Sequence, residues 1–370
     1  MKKILAVAIA SAFAAPAFAA TANVDVYGQI NLSVENVDNG IDDYNRMVTN
    51  NNSFIGFKGS EDLGSGMKAV WQIESNIEMT GNAATSKANT GAENNIFGTR
   101  NTFIGLAGGF GTVIAGTHDT PYKLSTGPLD IFVGTLGDYN GIFGSAGATS
   151  NSTLFDLRTG NTIAYLSPNF GGFDVKAAYV MGLEGVEAVG SDRSSAYSLS
   201  GTYKNGPLFA TAAYEKHNSV GSTATCMAGA TCLTEGTLDR DAWKIGAGYT
   251  FGNFKFGAVY ESMDGDGALG VIEHDTWGLN GAYTMGAMTF KASYATADDL
   301  NGAANTGTDM WALGLDYTMS KRTKVQLTYA KQDNDSSGVW GLGQGASVSQ
   351  GSGATGEAVD GFSLGMVHSF

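Results

Sequence analysis

Three segments, Trp243-Lys-Ile-Gly-Ala-Gly-Tyr249, Trp277-Gly-Leu-Asn-Gly-Ala-Tyr283 and Trp311-Ala-Leu-Gly-Leu-Asp-Tyr317, repeat one pattern every 34 residues. Each is followed by a short turn and a second apolar-alternating segment that ends in Tyr260, Tyr294 or Tyr329. The Trp-to-Tyr offset is even, so in a strand both rings face one way, roughly 20 Å apart along it. Between them the same face carries Ile245 and Ala247, Leu279 and Gly281, or Leu313 and Leu315, while the other carries Lys244 and Thr250, Asn280 and Thr284, or Asp316 and Thr318. An apolar stripe bounded by amphipathic rings and backed by a polar face describes a strand that crosses a bilayer. Trp243, Tyr249, Tyr260, Trp277, Tyr283, Tyr294, Trp311, Tyr317 and Tyr329 are therefore read as an aromatic girdle. A 34-residue period also suits helical repeat arrays. The period-two alternation and the lack of an i, i+3, i+4, i+7 stripe exclude that reading.

Outward from this stretch, the chain opens on Met1-Lys2-Lys3, runs apolar from Ile4 to Phe18 and offers Ala17-Phe18-Ala19 as a small-x-small cleavage site. Residues 1–19 thus read as a secretory signal peptide, with residues 20–370 as one exported domain. No other segment is apolar for long enough to cross a membrane as a helix, which leaves a closed barrel as the spanning structure. Without Lys2 and Lys3 the chain keeps 19 basic against 35 acidic residues, a net charge of −16. That balance argues against nucleic acid as a partner. Cys226 and Cys232 sit in one Ser/Thr/Gly-rich stretch, where an oxidising compartment favours a local disulfide. Two free thiols or a metal pair are the alternatives.

Alternation marks sixteen strands, at 22–35, 52–60, 67–78, 100–108, 112–118, 157–167, 173–181, 194–204, 208–216, 241–251, 254–262, 275–285, 288–296, 309–319, 323–331 and 360–370. An even number puts both termini on one side, as bacterial outer-membrane barrels require. In the first strand Val24, Val26, Ile30, Leu32 and Val34 share one face, and Asp25, Gln29, Asn31, Ser33 and Glu35 the other. Connections alternate between tight turns, such as Lys204-Asn-Gly-Pro207, and long polar loops near 36–51, 79–99, 119–156, 182–193, 217–240, 263–274, 297–308 and 332–359. The fold class is an all-β, sixteen-stranded antiparallel transmembrane barrel with short periplasmic turns and long outer loops.

Several motifs together carry a resemblance to a known family. They are Val-Asp-Val-Tyr-Gly-Gln-Ile (24–30), Ile-Gly-Phe-Lys-Gly-Ser-Glu-Asp-Leu-Gly-Ser-Gly-Met-Lys-Ala-Val-Trp-Gln-Ile-Glu (55–74), Phe-Ile-Gly-Leu-Ala-Gly-Gly-Phe-Gly-Thr-Val (103–113), Asp-Thr-Pro-Tyr-Lys (119–123) and Asn-Thr-Ile-Ala-Tyr-Leu-Ser-Pro-Asn-Phe-Gly-Gly-Phe (161–173). From Val24 to Phe370 the chain resembles the trimeric general-diffusion porins of Gram-negative outer membranes, in the form typical of Neisseria and other β-proteobacteria. The resemblance implies a homotrimer in the outer membrane, in contact with lipid and lipopolysaccharide, that passes ions and small hydrophilic solutes. It implies that the third long loop, about 119–156, folds into the lumen. A last strand closing on Phe370 fits recognition by the outer-membrane assembly machinery.

A diffusion pore needs no catalytic group and no cofactor; it needs a polar lumen, a constriction and a charge arrangement. The resemblance places loop carboxylates opposite basic wall groups. On the loop the candidates are Asp130 and Asp138, with Asp119 and Asp156 at its roots. On the wall, inward parity selects Lys58, Lys68, Arg158 and Lys176, with Gln29 and Glu74 as polar lining. The plainer alternatives are that the lysines are solvated lumen residues away from the narrowest point and that Asp130 caps a short helix. Thr117, Ala164 and Phe54 stand where relatives often carry a basic residue, so the acidic net charge is expected to give a weak to moderate cation preference. The glycines of Gly265-Asp-Gly-Ala-Leu-Gly270 lack a following helix, and His118, His217, His274 and His368 lack ligand spacing, so neither a nucleotide site nor a metal site is expected. A substrate-specific channel is the rival function, and an outer-membrane enzyme is disfavoured for want of an acid, base and nucleophile set.

Overall fold

The computed structural model describes residues 23–40, 43–79, 97–145, 154–183, 194–220, 238–267, 270–300, 303–343 and 355–370. The signal segment and the pair Cys226 and Cys232 lie outside the described residues. The strands are β1 (Asn23–Asp38), β2 (Asp43–Asn50), β3 (Phe54–Gly64), β4 (Met67–Asn76), β5 (Thr102–Gly108) and β6 (Gly111–Asp119). Next come β7 (Arg158–Leu166), β8 (Phe173–Met181), β9 (Ser195–Asn205), β10 (Leu208–Val220), β11 (Leu238–Phe251) and β12 (Phe254–Gly267). The series ends with β13 (Gly270–Val271), β14 (His274–Met285), β15 (Met288–Ala297), β16 (Thr308–Thr318), β17 (Thr323–Asn334) and β18 (Val359–Ser369).

Each wall strand pairs antiparallel with its neighbours, and β1 pairs with β18, so the sheet closes on itself. β2 and β3 both pair with β1 and form one crossing interrupted at Asn51, Asn52 and Ser53, while β13 is a two-residue flap on β12. Sixteen crossings remain, the expected number. At the interruption Asn52 takes φ 62°, and Ser53 turns inward to accept the Asn31 N–H at 2.9 Å. The sequence placed 43–50 in a loop, because Asp43-Tyr-Asn-Arg-Met-Val-Thr-Asn50 carries polar residues at both parities. The structure makes it strand: above the bilayer an extended hairpin needs no apolar face. β10, β11 and β12 outrun their expected ends toward the long loops in the same way.

The wall is inverted relative to a soluble protein. Val24, Val26 and Val34 are more than half exposed on the outside, whereas Asn31, Ser33 and Glu35 are at most 5% exposed within. Outward apolar strips of this kind belong against hydrocarbon. The 34-residue repeat has a register reason: Tyr260 lies directly across from Trp277, and Tyr294 across from Trp311. The ring pairs Trp243 and Tyr260, Trp277 and Tyr294, and Trp311 and Tyr329 are 5.3, 5.4 and 5.2 Å apart, so one hairpin hands the band to the next. Tyr249, Tyr283 and Tyr317 form the second row on the same outer face, nearer the short turns; the Tyr283 ring lies 4.6 Å from that of Phe254, tilted by 33°. At the seam Phe370 and Gly28 exchange backbone hydrogen bonds of 3.1 and 3.2 Å, and the Phe370 ring fills the space a Gly28 side chain would need.

Candidate functional site

The segment after β6 turns into the barrel. Thr120 accepts from the Lys123 N–H and Pro121 stands at the first turn, which starts a short helix, Pro121–Thr126. Two 3₁₀ turns, Gly127–Leu129 and Tyr139–Gly141, carry the chain across the lumen. Leu129, Phe132, Leu136, Ile142 and Phe143 are at most 2% exposed and pack on Val259, Ala295, Met310, Ala312 and Ala330 of the inner wall. Wall glycines make this possible. A methyl on Gly246 would lie 2.5 Å from Leu129, on Gly314 2.6 Å from Phe132 and on Gly278 3.1 Å from Phe143.

Loop carbonyls are met by wall side chains. Lys255 donates to Pro128 O at 2.9 Å, Asn280 to Leu129 O at 2.9 Å, Lys291 to Ile131 O at 3.1 Å and Asn31 to Gly134 O at 3.1 Å. Trp340, fully buried, packs into the same cluster from the last long connection and donates to Thr306 O at 2.8 Å. The loop thus covers the arc from β9 round to β17 and reaches Asn31 of β1, and the lumen lies against β3 to β7.

Among the described residues, Arg158, Arg100 and Lys58 of the open arc and Lys123 of the loop helix bring four basic groups to this side of the lumen. Arg158 donates to Asn101 at 3.0 Å and pairs with Asp119 at 3.1 Å, and Lys123 lies 3.9 Å from the same carboxylate. Arg100 sits 3.7 Å from Glu74 and 4.7 Å above the Phe54 ring. Lys58 lies 4.9 Å above the Tyr27 ring, whose hydroxyl donates to Glu74 at 2.8 Å.

The expected site residues therefore separate into groups. Lys58, Arg158, Glu74 and Asp119 meet on the open arc. Gln29 keeps the inward parity of Tyr27 and Asn31 on β1. Lys68 is exposed beside the 64–66 turn, and Lys176 pairs with Asp174 at the short-turn end of β8, both away from the loop. The four carboxylates expected to face basic groups across the gap are placed otherwise. Asp138 spends one oxygen on the Gly134 N–H at 2.9 Å and the other on the N–H of Asn140 at 3.1 Å, capping the second 3₁₀ turn. Asp130 accepts from the Phe132 N–H at 2.7 Å beside it, so it closes a turn and caps no α-helix. Burial, and next the Asp138 carboxylate, push the Asp130 carboxyl well above the usual range. Asp156 lies against buried Lys244, and Asp119 pairs along its own wall. A loop folded into a lumen must satisfy its own amides, and short aspartates next to those amides do so first.

Arg100, Lys123, Lys291 and Glu261 were not singled out from the sequence, and Lys244 was placed on the polar face of its strand without a role. Inward parity on β12 and β15 would have found Glu261 and Lys291. It would have misplaced Arg100: even positions of β5 point outward, with Ile104 66% exposed, and only the irregular stretch before Thr102 swings Arg100 in.

A Gram-negative porin family profile matches residues 6–337. The major outer membrane protein P.IB of Neisseria meningitidis serogroup B is 33% identical over 231 residues, covering 60% of this chain and 61% of that protein. The chain thus matches about three fifths of the length of that relative. Among solved structures, an anion-selective porin from Comamonas acidovorans superposes with a TM-score of 0.74 at 25% identity, over 94% of this chain and 100% of the other. A trimer form of OmpT from Vibrio cholerae gives 0.65 at 18% identity, over 94% and 99%. With a closed sixteen-stranded wall, a loop folded inside it and a family match over most of its length, the chain belongs to the Gram-negative porins.

Proposed function

We propose that this porin is a general-diffusion channel of the outer membrane, passing ions and small hydrophilic solutes down their gradients with a weak cation preference. The observation that carries this reading is the loop-narrowed lumen, whose open arc sets Lys58, Arg100, Lys123 and Arg158 beside Glu74 and Asp119. Mixed charges on a polar wall admit hydrated solutes without holding any one of them. The net charge of −16 favours cations at the mouths. The basic surplus on the open arc works against it, which keeps the preference weak and salt-sensitive. The Comamonas acidovorans relative is described as anion-selective, so the sign is a point on which the two proteins are expected to differ.

Swelling of liposomes in sugars of graded size tests the channel. Uptake that falls smoothly with size supports general diffusion. A substrate-specific channel is the second reading, favoured by the lumen-facing rings of Phe54 and Tyr27 with cations on their faces. Saturation by a single solute would support it. Reversal potentials across a bilayer under a salt gradient test selectivity, and a clear anion preference would sink that part.

The protein acts as a homotrimer in this reading, docked through the outer faces of β1, β5 and β6, where Val24, Val26, Ile104, Leu106 and Val113 are exposed outside the Trp and Tyr band. That band faces lipid and lipopolysaccharide. The C-terminal Phe370 is the recognition element for the assembly machinery before it seats on Gly28. No cofactor takes part.

A further inference from the structure

We propose that Lys244 and Glu261 are positioning residues that fix the inserted loop, and with it the size limit of the channel, although neither reaches the lumen. The assignment rests on the channel reading above. The two side chains stand directly across from each other on β11 and β12, and both are fully buried. Three distant points of the loop converge on them. Glu261 Oε2 accepts from the Tyr122 hydroxyl at 2.8 Å, and its Oε1 accepts from the Gly144 N–H at 2.7 Å. The Lys244 ammonium pairs with the Asp156 carboxylate, lies 4.0 Å from Glu261 and stands 4.0 Å above the Tyr122 ring. The outgoing helix, the far limb and the return to β7 are thereby held at one place.

The wall itself does not need this pair. Backbone hydrogen bonds hold β11 to β12, and a buried ion pair is a costly way to fill an inward position. Every oxygen and ammonium contact described beyond the pair goes to the loop. The backbone is bent to suit them: Gly144 has φ 74° and Asp156 φ 59°, and a methyl on Gly144 would lie 3.0 Å from Phe155 O. A non-glycine residue kept in the left-handed region indicates surroundings that over-determine it. The apolar contacts of Leu129, Phe132 and Phe143 and the bonds to loop carbonyls from Lys255, Asn280, Lys291 and Asn31 seat the stretch from Pro128 to Phe143. The directional bonds at Lys244 and Glu261 tie the two ends of the loop, at Tyr122 and at Gly144 and Asp156, to one another and to the wall.

The test uses the full chain refolded as the oligomer, with Glu261→Leu, Glu261→Gln and Tyr122→Phe, read by single-channel noise and by swelling of liposomes in a pentose, a hexose and a disaccharide. Glu261→Leu is expected to raise disaccharide uptake relative to the pentose at least about twofold and to raise open-channel noise, as a wider and looser constriction requires. Tyr122→Phe, which removes one hydroxyl and keeps the ring over Lys244, should move both in the same direction by less. It carries the test if the Leu variant does not fold. Glu261→Gln keeps an acceptor for Gly144 and a partner for Tyr122, and should behave like the parent. Folded Leu and Phe variants with the parent's size dependence and noise would overturn the assignment, and so would a Gln variant as leaky as Leu. A parent protein that forms no channel would instead sink the channel reading, so the two failures are separable.

Discussion

The two halves of the barrel interior obey the same alternation and do different things with it. On the covered arc, from β9 to β17, Lys244 and Lys291 are spent on the loop: Lys244 is fully buried against Asp156, and Lys291 ties Asp316 to the carbonyl of Ile131. On the open arc, from β3 to β7, inward cations keep partial exposure; Arg100 and Arg158 are 16% and 21% exposed. Glycines differ likewise. Those on the covered arc are sockets for Leu129, Phe132 and Phe143, whereas a methyl on Gly160 of β7 would meet only Thr117 Oγ1, at 3.7 Å. Parity decides whether a side chain faces in. The loop decides whether an inward side chain is packing or lumen.

The largest effect is expected from removing the open-arc arginines. Arg100→Ala combined with Arg158→Ala should raise the cation-to-anion permeability ratio about threefold or more at low salt, read by reversal potential, with the effect shrinking as salt screens the lumen. An unchanged ratio would mean that these groups are not what solutes meet. Next comes the covered arc. Gly314→Leu forces the Phe132 ring off its seat, an overpacking cost of about 1–3 kcal/mol, and should shift single-channel conductance by roughly a factor of two.

A smaller effect is expected with pH. The Asp130 carboxyl on the loop is raised above its unfolded value, so the folded loop holds the proton more tightly than the unfolded chain does. The stability this contributes is fully present below the ordinary carboxylate range and is lost as pH rises through the raised folded value. Open-channel noise should therefore grow with pH across that window, and Asp130→Asn should flatten the trend; an identical trend in the variant would locate the titration elsewhere. The smallest effect belongs to Gly160→Ala. It should change conductance and the apparent melting temperature hardly at all, in contrast to Gly314→Leu. A large effect there would break the distinction between the two arcs.

Much of the wall was readable from the chain. The Trp243, Trp277 and Trp311 repeat located strands, their faces and their depth, because bilayer thickness and a period of two leave few other solutions. Residues 43–50 escaped because a hairpin above the membrane is free of that constraint. Lys58, Arg158, Glu74 and Asp119, picked by parity and loop position, lie together on the open arc. Arg100 was not picked, because irregular backbone before β5 breaks the count. Asp130 and Asp138 were placed in the right loop with the wrong surroundings, since nothing in the order of residues says which amides a folded loop will turn toward its own carboxylates.

A sixteen-stranded barrel with an apolar outside, a polar inside and a long third loop was written into the order of residues alone. Each of these follows from interactions local in sequence, namely alternation, girdle spacing and turn chemistry. Only the tertiary structure decided which arc the loop covers, and so which cations hold the loop and which face the lumen. Those assignments depend on Tyr122, Gly144 and Asp156 meeting Lys244 and Glu261 from far along the chain. They depend equally on the depth of sockets formed where wall glycines leave room for a ring.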